Sequence, residues 1–226
     1  MKTEFLSNAS HEMRTPLTVI SVNVQTVMDI LDDMGNSVND PETNELLQTA
    51  QNEIMRLSRM VGGMLTLASM SENTERRELN LSWLLENGVE TLRLNLSRRG
   101  NVIETDIERA LTVFGNADLL TQALTNILQN AGANTENGTI RVSAKRGRGE
   151  ITITIRDTGS GIPPEILPHV FERGVSTGGT GFGLYLCKTV IESHGGNVWI
   201  ESGPGEGTAV YYTLPAYEGQ FGGEKG

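Results

Sequence analysis

The sequence predicts a two-part fold: an N-terminal helical hairpin that dimerises into a four-helix bundle, then an α/β sandwich in which a mixed sheet is layered with helices. Three observations carry this. Only Gly35, Gly62 and Gly63 of the 26 glycines fall in residues 1–72, a stretch whose single aromatic residue is Phe5. Within that stretch two apolar stripes recur at alternating spacings of 3 and 4, the period of packed helices. Beyond it, short alternating runs are punctuated by glycine-rich turns. At 226 residues the chain has room for two small domains, expected at 1–72 and 73–216, with a polar, glycine-rich tail at 217–226 expected to be disordered.

Charge and composition narrow the function classes. The net charge is −10, spread over both parts, so neither offers the basic surplus that nucleic-acid binding needs. The one cysteine, Cys187, has no internal disulfide partner, which fits a reducing compartment. No run of 18 apolar residues and no signal peptide is present, so the chain is expected to be soluble and cytoplasmic. It begins almost at once in helical pattern, as if a preceding segment had been removed.

The first stripe is Leu6, Ala9, Met13, Pro16, Ile20, Asn23, Val27, Ile30 and Met34, widened by Leu17, Val24 and Leu31. The second is Leu47, Ala50, Ile54, Leu57, Val61, Met64 and Ala68. Between them Gly35–Pro41 reads as a turn, with Asp40 as N-cap and Pro41 at the first helical position. One hairpin buries too little surface alone, so a homodimer through residues 1–70 is expected.

His11 sits off the first stripe, about 200° around the helix from Ala9. An exposed imidazole with an ordinary pKa near 6.5 is a fair nucleophile at neutral pH, although a lone helical histidine is more often merely solvated. Glu12 is the nearest carboxylate that could take its second ring proton, and Thr15 lies one turn on, on the same face. Pro16 removes the amide that would bond the Glu12 carbonyl and so loosens the helix beside His11.

In the second part Leu81–Leu96 reads as a helix with Leu84, Leu85, Val89 and Leu92 on one side. Strands are expected at Asn101–Ile107 and Leu111–Phe114, after a short polar stretch at Glu75–Asn80. Asn116–Asn134 reads as a helix with Leu120, Leu124, Ile127, Leu128 and Ala131 as its apolar face. On it Asn126 and Asn130 share a face, either as solvated amides or with Asn130 offering its carbonyl oxygen to a phosphate-bound Mg²⁺ while Asn126 supports the phosphates. Thr139–Lys145 and Ile151–Arg156 alternate as a hairpin. The latter runs into Asp157, Gly159 and Gly161, where glycines let backbone approach a flat ligand and a carboxylate can accept from an exocyclic amine.

Pro164–Thr180 has the composition of a lid, with Phe171 to pin it and Arg173 as a phosphate contact. Gly179, Thr180, Gly181 and Gly183 then open a helix that runs to about His194, an anion site by geometry and dipole. His194, before two glycines, reads as a structural cap, and His169 as a solvated lid residue. Asn197–Glu201 and Thr208–Leu214 close the sheet as a hairpin. The separated histidines lack metal-ligand spacing.

The stretch His11–Leu17 resembles the H-box of sensor histidine kinases of the two-component type. Four later blocks resemble the same family in order: Asn126–Ala131 its N-box, Asp157–Pro163 its G1 box, Phe171–Arg173 its F-box and Gly179–Leu184 its G2 box. The resemblance implies ATP and Mg²⁺ as cofactors, autophosphorylation of His11 with Glu12 as base, and transfer to an aspartate of a response regulator receiver domain. It implies that Thr15 assists a phosphatase reaction, that Asn130 holds the metal, and that Asp157 and Thr208 lie near the adenine. It also implies a membrane-anchored sensor upstream. Two positions depart from the pattern: Ala133 stands where a phosphate-touching lysine is common, and Phe182 where leucine is commoner. The alternatives are a dimer acting mainly as a regulator phosphatase or scaffold, and an ATPase of the gyrase and heat-shock-ninety kind.

Overall fold

The computed structural model describes residues 18–20, 22–27, 29–30, 42–43, 45–50, 53–54, 57, 75–175 and 181–218. The chain divides into two compact units, one on Met1–Ala68 and a larger one on Ser69–Thr177 with Gly181–Gly226.

In the smaller unit every described residue between 18 and 57 is α-helical. The stripe is visible in burial: Val27 is buried and Ile20, Asn23 and Ile30 are half-buried, while Thr18, Val19, Val22, Gln25 and Asp29 are exposed. On the second helical stretch Ala50 is buried and Leu57 half-buried. Val24, Leu47 and Ile54, all stripe residues, stay 44%, 43% and 49% exposed in the single chain.

The larger unit is a two-layer sandwich. Its strands are β1 (Arg77–Asn80), β2 (Val102–Ile107), β3 (Thr112–Gly115), β4 (Thr139–Arg146), β5 (Glu150–Asp157), β6 (Val198–Gly203) and β7 (Gly207–Pro215). Its helices are α1 (Leu81–Ser97), α2 (Ala117–Asn134) and α3 (Gly183–Ser193). The main sheet has the order β2-β4-β5-β7-β6, antiparallel except for the β2–β4 pair, and β1 pairs with β3 apart from it. β1 was not evident in the sequence, because only Leu79 of its four residues is buried and no alternation can show.

Period-two patterning sets the core. Ile140, Val142 and Ala144 of β4 face Asp157, Ile155 and Ile153 of β5, which in turn face Thr208, Val210 and Tyr212 of β7. Apart from half-buried Thr208 these side chains are buried, and they form the floor under the helices. α2 packs against both α1 and α3 with Leu119, Leu120, Ala123, Leu124, Ile127, Leu128 and Ala131 buried. Burying each large apolar side chain contributes about 1.5–3 kcal/mol before entropy is counted.

Caps start two of the helices. The Asn80 side chain accepts the Trp83 amide at 3.0 Å, and that of Asn116 accepts the Leu119 amide at 3.0 Å. His194 caps α3 as expected, but as a neutral base and not as a cation on the helix dipole. Its Nε2 accepts the Asn116 amide at 3.0 Å and its Nδ1 donates to the Val190 carbonyl at 2.8 Å. That pairing requires one ring proton, and burial, with Arg76 nearby, holds its pKa below the usual histidine value. Tyr217, the first residue of the expected tail, is anchored by its amide to the Thr112 carbonyl at 2.8 Å and by its ring against Phe114.

Candidate functional site

At one end of the sheet the register aligns Ile140, Asp157, Thr208 and Ser202 across β4, β5, β7 and β6 on the helix-facing side. Asp157 is buried, and its Oδ1 accepts the amides of Gly159 at 2.9 Å and Thr208 at 3.2 Å. Burial raises its pKa above the ordinary carboxylate value; the two amides, the Thr135 hydroxyl and Arg156 oppose that rise without cancelling it. A buried carboxylate held this way can accept further hydrogen bonds and, while ionised, donates none.

The G1-like loop follows directly. Gly161 has φ +70°, and a Cβ there would come within 1.9 Å of the Gly203 carbonyl oxygen. A Cβ on Gly159 would lie 2.2 Å from the carbonyl oxygen of Asn134 at the end of α2. The space that these glycines free is therefore taken by the protein's own backbone, which draws α2, β5 and the β6–β7 turn together around the loop. Ser160 donates its amide to Asn134 at 3.1 Å and accepts the Gly205 amide at 2.8 Å.

Asn126 and Asn130 lie on α2 where α3 begins. A Cβ placed on Gly183 would sit 3.7 Å from Nδ2 of Asn130 and 3.9 Å from Cβ of Asn126. Both amides are half-buried, and Asn126 accepts from Gln122 at 3.2 Å. Cys187, one turn into α3, is buried beneath them; it donates to the Ala123 carbonyl at 3.3 Å, and burial pushes its thiol up to about 12. It is structural and unreactive. Ala133 is exposed, and the cation beside it, Arg99, donates to its carbonyl and pairs with Glu136 at 3.2 Å.

The expected lid begins with a 3₁₀ turn at Leu167–His169, where exposed His169 pairs with Glu172 at 2.7 Å. Arg173 lies with its guanidinium 4.9 Å from the centroid of the Phe182 ring, and Phe182 is buried. The unusual phenylalanine thus gives the arginine an aromatic face. Half-buried Phe171 has Lys188 6.0 Å from its centroid. The Gly174 amide donates to the Gly181 carbonyl at 3.1 Å, so Gly181 (φ +66°) meets Gly174 at the loop's base.

Of the sequence-based site residues, Asn126, Asn130, Asp157, Gly159, Gly161, Gly181, Gly183 and Thr208 border the helix-facing end of the sheet and the α2–α3 junction. Arg173 joins them through Phe182. His11, Glu12, Thr15, Gly179 and Thr180 lie outside the described residues. Ser202 went unnoticed in the sequence, where one serine before a glycine-rich turn carries no signal; only the register places it beside Thr208.

Among the described residues no helix is long and apolar enough to cross a membrane, and no group of three metal-ligating side chains occurs.

Residues 1–73 match the His Kinase A (phospho-acceptor) domain, and residues 115–218 match the histidine kinase-, DNA gyrase B- and HSP90-like ATPase family. The adaptive-response sensory kinase SasA of Thermosynechococcus vestitus is 31% identical over 96% of this chain, which spans 60% of that protein. The sensor protein SrrB of Staphylococcus aureus is 30% identical over 96% of this chain, which spans 39% of it. The catalytic domain of histidine kinase ThkA superposes on 63% of this chain and 96% of its own with TM-score 0.58 and 26% identity. ThkA solved in complex with the response regulator protein TrrA shares the fold over 95% of this chain and 61% of its own, with TM-score 0.70 and 24% identity. With a phospho-acceptor match on its helical part and an ATPase match on its sandwich, the chain belongs to the sensor histidine kinase family, whose catalytic core it carries.

Proposed function

We propose that this chain autophosphorylates His11 from ATP and passes the phosphoryl group to an aspartate of a response regulator. The observation that carries the reading is the convergence of a buried carboxylate, Asp157, with Thr208, the G1-like loop and the paired amides Asn126 and Asn130, in a chain whose first part matches a phospho-acceptor domain. The residues fit a purine nucleotide: Asp157 and Thr208 supply acceptors at the sheet end, and Asn126 and Asn130 supply amides where the glycine-rich start of α3 approaches α2.

Asn130 would hold Mg²⁺ through its side-chain oxygen, and the ion would neutralise phosphate charge when bound. Arg173, Gly179, Thr180, Gly181 and Gly183 would surround the phosphates. A ring nitrogen of His11 attacks the γ-phosphorus, the bond to the leaving diphosphate breaks, and Glu12 takes the second ring proton. Thr15 would position water for the reverse, phosphatase reaction.

The working form is a homodimer through residues 1–70, supported by the exposure of Val24, Leu47 and Ile54 in a single chain. The division into a phospho-acceptor part at 1–72, a nucleotide-binding part at 73–216 and a tail belongs to the same reading. So does a cytoplasmic placement behind a membrane-anchored sensor.

Incubating the chain with γ-labelled ATP and then with a receiver domain tests the function. Label that enters the chain and then moves to the receiver is expected. Release of free phosphate without a labelled protein would favour the ATPase reading instead.

A further inference from the structure

We infer that Ser202 sets the base specificity of the nucleotide site by fixing which way the Thr208 hydroxyl points. The inference rests on the nucleotide-binding reading above. Three contacts meet on the Ser202 hydroxyl: it lies 2.8 Å from the Gly207 carbonyl, receives the Ile162 amide at 2.9 Å, and lies 3.1 Å from the Thr208 hydroxyl.

A serine hydroxyl has one proton and two lone pairs. A carbonyl can only accept, so the Ser202 proton goes to Gly207. An amide can only donate, so Ile162 occupies one lone pair. The remaining lone pair must take the proton of Thr208, which therefore cannot turn that proton into the site.

Thr208 faces Asp157 across the β5–β7 pair, and as a carboxylate Asp157 is an acceptor only. Ser202, Thr208 and Asp157 stand in one row across β6, β7 and β5. Asp157 and Thr208 thus both present acceptors to the base end of the site, with the Thr208 proton turned away from it. A ring bearing a 6-amino group presents N–H donors to that lining. A 6-oxo ring places an acceptor where the amino group would be, its one edge donor, N1–H, lying a ring atom away, and so leaves unpaired lone pairs in a half-buried place.

Removing the Ser202 hydroxyl frees the Thr208 proton, which can then rotate to meet a 6-oxo group. Calorimetric titration of the whole chain with ADP and with IDP reads this without any phosphoryl transfer. The wild type is expected to favour ADP, and Ser202→Ala to lower the ADP-to-IDP affinity ratio by about tenfold, the worth of one well-placed hydrogen bond. Ser202→Thr keeps the hydroxyl and is expected to keep the ratio. Thr208→Val leaves the Ser202 bonds to Ile162 and Gly207 in place and is expected to lower the ratio as well.

Equal weakening of both diphosphates, with the ratio unchanged in Ser202→Ala and Thr208→Val, overturns the inference and leaves Ser202 as a brace for the loop. A wild type that binds neither diphosphate overturns the nucleotide reading itself, and this inference with it.

Discussion

The imidazole of His194 accepts the backbone amide of Asn116 at 3.0 Å, fastening the end of α3 to the N-cap of α2. The helices joined here are those that bring Gly183 of α3 against Asn126 and Asn130 of α2. The segment entering the sandwich is fastened to the same point: Arg76 donates to the Ser193 carbonyl at 2.5 Å, and the Asn116 side chain donates to the backbone carbonyl of Glu75 at 3.2 Å.

His194→Ala removes both ring hydrogen bonds and strands the Asn116 amide, so it is expected to lower stability by about 2 kcal/mol. A pH signature accompanies this. The folded-state pKa of His194 lies below its ordinary 6.5, so the unfolded chain takes the proton first as pH falls. Stability is therefore expected to decline below pH 6.5 and to level off once the folded value is passed. Urea unfolding of wild type and His194→Ala at a series of pH values above and below the ordinary 6.5 checks it: the decline should be smaller in the variant.

Asp157→Asn should separate stability from binding. The raised pKa means that the ionised carboxylate is disfavoured in the fold, a penalty that sets in as pH rises above 3.8 and is complete above the folded value. Asparagine keeps an oxygen for the Gly159 and Thr208 amides and removes the charge. Thermal unfolding at neutral pH is expected to show a variant at least as stable as wild type. ADP affinity is expected to drop about 10- to 100-fold, the worth of a charge-assisted hydrogen bond.

Gly161→Ala places a Cβ within 1.9 Å of the Gly203 carbonyl at a φ of +70°. Backbone strain alone costs about 1–2 kcal/mol, and the clash adds to it. Denaturant midpoints should fall accordingly. Gly149→Ala is a useful comparison: it shares the positive φ of +83° but meets nothing within 4 Å, so it should cost only the strain.

Leu47→Lys with Ile54→Lys puts charges on two stripe residues that a single chain leaves about half exposed (43% and 49%). Light scattering is expected to give a dimer for the wild type and a monomer for the double variant. A monomeric wild type at micromolar concentration contradicts the bundle.

Much of this was legible in the sequence for identifiable reasons. The apolar face of α2 runs over more than three turns at helical spacings, and all five residues expected there are buried. Asn116 and Asp157 sit at element ends, where capping and loop chemistry limit the choice of residue. β1 was missed because four residues with one buried side chain have no period to read. Ser202 was missed because its role arises from a pairing between β6 and β7, not from any local pattern. For His194 the position was legible but its charge state was not, since only the fold brings the Asn116 amide to its ring.

Phosphorylation of His11 is tested by mapping the labelled site. The wild-type chain, incubated with γ-labelled ATP, is expected to carry label that survives base and is lost in acid, as a phosphoramidate should be. His11→Gln is expected to take up none while still binding ADP. Label that persists in His11→Gln, or that survives acid, would contradict the account.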